Sequence, residues 1–287
     1  MTVTCCVCFR KCRLREGETG ICGVRKCKDG AVVPVNYGVA TALALDPIEK
    51  KPLYRFMPGS RILSIGSYGC NLHCPFCQNS DISWSEEAFL HAGEYRRITP
   101  SELADLAVSL KPRGNIGVAF TYNEPLICYE FVAETSKLLH ERNMKSVMVT
   151  NGTADLSVLA ELKGLVDAMN IDLKGFSDRF YKSVLKGDLD MVKAFIAQAV
   201  KQCHVELTTL IVPHENDSDE EIISMAEWIS GLTDENGRNT GKSIPWHLSR
   251  FFPRFRMTDR PATDVKRIYH LVALAEQKLD YVYPGNC

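Results

Sequence analysis

Cys70, Cys74 and Cys77 stand within eight residues of one another, in the stretch GCNLHCPFCQN, with the spacing C-x3-C-x2-C. Three thiolates are soft ligands that suit zinc or iron–sulfur chemistry. No fourth cysteine follows nearby, whereas a structural zinc site is normally closed by a fourth ligand. His73 lies inside the loop, where adjacent ligands would be strained; Cys128 or His247 could close a site from elsewhere in the chain. The other solution is a [4Fe–4S] cluster with three irons on cysteine and the fourth left open for a chelating molecule, such as one that offers an amino and a carboxylate group.

A second group lies in CCVCFRKCRLREGETGICGVR, spaced Cys5-x2-Cys8-x3-Cys12-x9-Cys22. Four cysteines with no vacant place read as a closed zinc site, with an auxiliary iron–sulfur cluster or no metal as the alternatives; Cys6 and Cys27 blur the assignment. Cys128 and Cys203 read as small buried hydrophobes. The N-terminus lacks the apolar stretch of a signal peptide, and no apolar run approaches the roughly 18 residues of a membrane span. The expected setting is therefore the cytoplasm, with no membrane partner. There, twelve cysteines point to metal or redox chemistry more than to disulfides. A net charge of −1 argues against a dominant nucleic-acid surface.

These side chains need elements to position them, and 287 residues allow one large domain with a small appendage. From residue 61 short apolar runs recur: RILSIGS, NIGVAFT, KSVMVTN, DAMNIDLK, HVELTTLIV, SIPWHLS and a weak DYVYP. Helical patterns lie between them at roughly 100–111, 126–142, 155–164, 188–202, 217–231 and 262–279. The first is entered through Thr99-Pro100-Ser101-Glu102, a capping-box arrangement. In the last, Val265, Ile268, Tyr269, Val272 and Ala275 form one apolar stripe, which predicts a core face. Alternating near-continuously apolar strands with helices predicts a parallel sheet covered by helices, either barrel-like or doubly wound. Residues 31–56 predict two or three short strands. The expected organisation is a Cys-rich extension over 1–56 and an α/β core over 57–287.

In both architectures chemistry gathers at the C-terminal ends of the strands. The cysteine trio follows the first strand. The second ends in TYNEP (121–125), the third in TNG (150–152), the fourth in DLK (172–174) and the fifth in VPHEND (212–217); the sixth carries His247 and runs into SRFFPRFR. Loops are polar anyway, but this series together with a metal-ligand trio on the first strand is hard to obtain by chance.

C-x3-C-x2-C with Phe76 before the last cysteine, after the first strand of a βα array, resembles the radical S-adenosylmethionine (SAM) superfamily, and NEP and DLK at later strand ends strengthen the likeness. The stretch DPIEKKPLYRFMPGSRILSIGSYGCNLHCPFCQN resembles the pyruvate formate-lyase activating enzyme branch, and within it the AmmeMemoRadiSam group, over nearly the whole chain. The resemblance implies a partial (βα)6 TIM-like barrel, with a [4Fe–4S] cluster on Cys70, Cys74 and Cys77 and SAM on the open iron. It implies that Asn123 and Glu124 accept hydrogen bonds from the SAM ammonium and that Lys174 pairs with its carboxylate. Asp172 would lie near the ribose or a cation, Thr150 and Asn151 in the polar floor, and the Phe76 backbone against the adenine. An electron donor such as flavodoxin or ferredoxin would be a partner. The four-cysteine framework of the extension belongs to the same group.

There are departures from the pattern. Tyr122 and Asn123 fill two family glycine positions, and Pro213-His214-Glu215 stands where glycine is common. Ser249-Arg250-Phe251-Phe252-Pro253 has Phe252 in place of a histidine. The group continues past this chain's YVYPGN into a further Cys-containing ribbon, so that ribbon is expected to be absent or cut away. His247 is a candidate for the substrate side of the pocket, against a packed strand histidine. Arg250 is a candidate for an anionic substrate group or SAM, against a structural ion pair. The resemblance implies hydrogen abstraction from a protein, as in glycyl-radical enzyme activation, or from a small molecule. The competing class is a non-catalytic iron–sulfur or zinc protein, which would need no barrel with such strand ends.

Overall fold

The computed structural model describes residues 2–90 and 92–287. In the extension, β1 (Thr2–Thr4) pairs antiparallel with β2 (Arg13–Arg15), and β3 (Arg25–Lys28) with β4 (Ala31–Pro34). The second hairpin turns on Asp29 and Gly30, both at positive φ (53° and 76°), as a two-residue turn between right-twisted strands requires. β5 (Val39–Ala40) pairs with β8 (Arg96–Arg97).

One large sheet has β6 (Ala42–Pro47) on one edge, antiparallel to β7 (Arg61–Gly66). Beside β7 run β9 (Asn115–Phe120), β10 (Lys145–Thr150), β11 (Ala168–Asp172), β12 (His204–Ile211), β13 (Trp246–Arg250) and β14 (Val282–Gly285), all parallel. The weak seventh run is thus a real edge strand, paired Trp246↔Val282. The intervening helices are α1 (Ser80–Ser83), α2 (Glu86–Leu90), α3 (Pro100–Ser109), α4 (Tyr129–Glu141), α5 (Leu156–Glu161), α6 (Leu189–Ala199), α7 (Asp219–Ser230) and α8 (Val265–Ala275). Six parallel strands are each followed by helix, in a sheet left open between β6 and β14. This is the α/β, partial-barrel architecture expected. The capping box also forms: Thr99 accepts from the Glu102 amide while Glu102 reaches back to Thr99.

Alternation along the strands sorts side chains onto two faces. Val118, Phe120, Met148, Met169 and Ile171 pack with the helices, whereas Ile62, Ala119, Val147 and Ala168 pack with Ile48 and Leu53. The second face is therefore filled at its lower end by residues 48–56. The Asn170 amide donates to the Pro52 carbonyl at 2.8 Å, and buried Glu206 accepts from the Tyr54 and Arg55 amides at 3.0 and 2.7 Å. One expectation fails in detail. Tyr269 is 54% exposed, and Leu271 takes its place on the buried side of α8, because the helix turns its apolar stripe one step further round.

No helix among the described residues is long and apolar enough to cross a membrane.

Candidate active site at the strand ends

The loop after β7 carries Cys70, Cys74 and Cys77, and side chains from the next two strand ends hold it. Asn123 accepts from the Ser67 amide (2.9 Å) and donates to the Tyr68 and Gly69 carbonyls (3.1 Å each). Asn71, fully buried, donates to the Thr153 carbonyl at 2.7 Å and accepts from the Asn151 amide at 2.9 Å. The same Asn151 nitrogen lies 3.7 Å from Cys70 Sγ. Burial pushes all three thiols upward: Cys70 well above its ordinary value, with Glu124 adding to it, and Cys74 to about 12 although Lys174 opposes the rise. Cys77 rises too, against a hydrogen bond from Ser83. Thiols this buried become thiolates only beside a strong positive centre.

Among the described residues no three His, Cys, Asp or Glu side chains close on a single point as one ion requires. A [4Fe–4S] cluster asks for something different, one thiolate on each of three irons, and three buried thiols on one pinned loop match that donor set. The N-terminal cysteines share the lack of a closed single-ion arrangement. They do gather: burial raises Cys8 to about 11, with Cys22 and Cys5 contributing, and Cys22 rises by burial with help from Cys5 and Cys12.

Beyond the loop stand two charged features. Glu124, 2% exposed, accepts from the Leu126 amide (3.0 Å), the Thr150 hydroxyl (2.6 Å) and the Asn151 amide (2.8 Å). Burial outweighs these three donors and pushes its carboxyl up to about 7. Lys174 Nζ lies 2.7 Å from Asp172 Oδ2. Burial alone would discharge Lys174, but Asp172 and Cys74 outweigh it and keep the ammonium. Its peptide is clamped on both sides, by the Tyr181 hydroxyl accepting from its N–H (3.0 Å) and by Asn216 donating to its carbonyl (2.6 Å). Three thiols, a carboxyl of adjustable charge and a fixed ammonium–carboxylate pair thus meet at the ends of β7, β9 and β11.

Comparison with known proteins agrees with this geometry. Residues 64–229 match the radical SAM superfamily domain. The chain belongs to the radical SAM superfamily. It lies on the pyruvate formate-lyase activating enzyme-like branch, being 30% identical to the pyruvate formate-lyase-activating enzyme of Clostridium pasteurianum over 66% of this chain and 76% of that one. It is 40% identical to an uncharacterized protein of Methanocaldococcus jannaschii, over 99% of this chain and 81% of the relative. The fold is shared with SuiB of Streptococcus suis bound to S-adenosylmethionine (TM-score 0.54, 12% identity, 79% of this chain and 49% of SuiB, so this chain spans about half that length). It is shared too with methylornithine synthase (TM-score 0.50, 14% identity, 79% of this chain and 66% of that one). This radical SAM protein is an enzyme, and its cofactors are a [4Fe–4S] cluster and SAM.

Not every candidate residue joins this group at the strand ends. His247 does not reach the strand ends. It is the second residue of β13, donates to the Glu206 carboxylate at 2.7 Å, and packs between Tyr54 and Tyr283, so it seals the lower end of the sheet. Glu206 required it there: a carboxylate without exposed surface needs donors, and His204, His247 and two amides provide them. Arg250 ends β13 and donates to the Thr263 carbonyl at 2.6 Å, which ties down the loop before α8. The Phe76 ring is buried, stacked on Phe180 and edge-on to Phe251, each at 6.3 Å. The Asn123 side chain is occupied by the loop, so it positions the cysteines. Cys128 is buried on the helix side and joins no metal-ligand group. Asn71, Tyr181 and Asn216 were not singled out from the sequence. Asn71 had a local signal, since it directly follows Cys70, while the other two are placed only by tertiary contacts.

Proposed function

We propose that Cys70, Cys74 and Cys77 hold the [4Fe–4S] cluster and that SAM binds beside it against Glu124, Asp172 and Lys174. The observation that carries this reading is the meeting of the buried three-thiol loop with Glu124 and the Asp172–Lys174 pair. Together the two cofactors would supply the chemistry, reductive cleavage of SAM coupled to hydrogen abstraction from the substrate.

The protein's part is placement and charge. Glu124 is held by three donors, and a cation arriving beside it draws off its proton, so it receives the SAM ammonium as a carboxylate. The Lys174 ammonium, fixed through its clamped peptide, faces the SAM carboxylate, while Asp172 offers its second oxygen to a hydroxyl. Thr150 and Asn151 act through Glu124, and Asn151 also donates toward Cys70. The Phe76 backbone lies in the same loop and would flank the adenine. The N-terminal cysteines we assign to a structural role; they gather without closing on one point, which suits a second cluster better than a zinc ion.

The substrate we propose is a protein, as in activation of a glycyl-radical enzyme. The likeness to a pyruvate formate-lyase-activating enzyme supports this over a small molecule. The test is anaerobic: reconstitute the cluster, add SAM and dithionite, and assay 5′-deoxyadenosine. Wild type should release it and Cys74→Ala should not. SAM bound without cleavage in wild type would overturn the reading.

A further inference from the structure

The cysteine loop has an outer face. There the His73 ring stacks on Trp84, with centroids 4.8 Å apart and planes at 12°. Arg256 lies over the Trp84 ring at 4.7 Å, beside Phe255, which meets the same ring edge-on at 5.1 Å. The Arg256 amide donates to the Pro75 carbonyl at 2.9 Å, so the segment after β13 is fastened to the loop itself. Arg10 arrives from the extension and donates to the carbonyls of Asn71 (3.2 Å) and Lys186 (2.7 Å). The His73 amide donates to the Leu185 carbonyl at 2.9 Å, so the segment that carries Lys186 is fastened to the loop as well.

Three cations from three distant segments therefore surround one loop, in a chain whose net charge is only −1. Lys186 and Arg256 are exposed. Among the described residues none of the three is held in an ion pair; Glu87, an exposed acid, faces Arg256. Cations not tied up in ion pairs attract an incoming negative surface and hasten its encounter. The site on the inner side of the loop needs an electron from outside.

We propose that this face, His73 and Trp84 ringed by Arg10, Lys186 and Arg256, is the docking surface for an acidic, low-potential one-electron carrier protein. The proposal rests on the cluster assignment above. In the docked pair the carrier is oxidised by one electron and the cluster is reduced by it, with no atom transferred.

The test uses reconstituted enzyme carrying Lys186→Glu together with Arg256→Glu; Arg10 is left intact because it also fastens Asn71 to the extension. Flavodoxin serves as the probe. Its affinity, measured by calorimetry at low salt, should fall about 10-fold or more in the variant, and the wild type's salt dependence should flatten. 5′-Deoxyadenosine formation driven by reduced flavodoxin should fall in parallel, while the dithionite-driven rate stays within about twofold of wild type. Unchanged flavodoxin affinity, or an equal loss with both reductants, overturns the proposal. So does a variant that binds flavodoxin normally but no longer retains single-stranded RNA, which would make the face a nucleic-acid surface. A wild type inactive with dithionite would count against the cluster and SAM assignment instead, and the binding measurement reads the docking face independently of it.

Discussion

Glu124 is the residue proposed to receive the SAM ammonium. Burial raises its carboxyl to about 7, and its bonds to Thr150, Asn151 and Leu126 fix its direction before any ligand arrives. Glu124→Gln keeps the shape and removes the charge, so SAM affinity should fall by at least about 10-fold, equivalent to about 1.4 kcal/mol, in a calorimetric titration. Unchanged affinity would take Glu124 out of the SAM site. Glu206 behaves in the opposite way. Burial alone would raise it, but His204, His247 and the Tyr54 and Arg55 amides outweigh that effect and hold it at about 2. A carboxyl held down in the folded state stabilises fully above its unfolded value near 4.5 and progressively less as pH falls toward 2. Glu206→Gln should therefore cost about 3 kcal/mol near neutrality, with the gap to wild type closing as urea unfolding is repeated toward pH 3. A gap that does not depend on pH would mean that the network is not ionic. The two glutamates also mark what the sequence can and cannot tell. The position of Glu124 at a strand end was legible because it sits in a strand-end motif; its role toward SAM is what the titration above tests. His247 was misplaced because a histidine on a strand gives no sign of whether it lies near the bottom of the sheet or at its catalytic edge, and only its pairing with Glu206 decides that.

At the scale of elements, the strand rhythm and the first capping box could be read directly, since periodicity and capping are local properties. Residues 48–56 could not, because nothing local shows that PIEKKPLYR folds back onto the sheet. The reason lies in tertiary contacts: Ile48 and Leu53 are wholly buried among small strand residues, Ala119, Val147 and Ala168, whose size leaves them room. Leu53→Ala should lower stability by about 2–5 kcal/mol in urea unfolding, and a neutral result would show that the segment is not a core element. Gly69 is a second junction. It sits at φ +90°, and an added Cβ would come within 2.6 Å of Val24 and 2.8 Å of the Cys22 carbonyl, so the extension packs directly on the cysteine loop. Gly69→Ala should cost roughly 1–3 kcal/mol and reduce the iron retained on reconstitution. Full iron loading would separate the extension from the site.

For the whole molecule, the extension, loop and sheet form one connected structure. Cys8 bonds to Asn71, Asn71 to Asn151, and Asn151 points toward Cys70, while Arg25 of β3 pairs with Glu130 of α4 at 2.6 Å. The enzyme class was legible because its motifs are short and lie at strand ends. The substrate was not, because no single motif encodes it. The central claim is that the loop of Cys70, Cys74 and Cys77 carries the cluster to which SAM binds. The most direct test is the EPR spectrum of the reduced, reconstituted enzyme with and without SAM. The account predicts a [4Fe–4S] signal that changes when SAM is added, and no SAM-sensitive signal when all three cysteines are replaced by alanine. A wild-type signal indifferent to bound SAM, or a SAM-sensitive signal that survives the triple replacement, would contradict it.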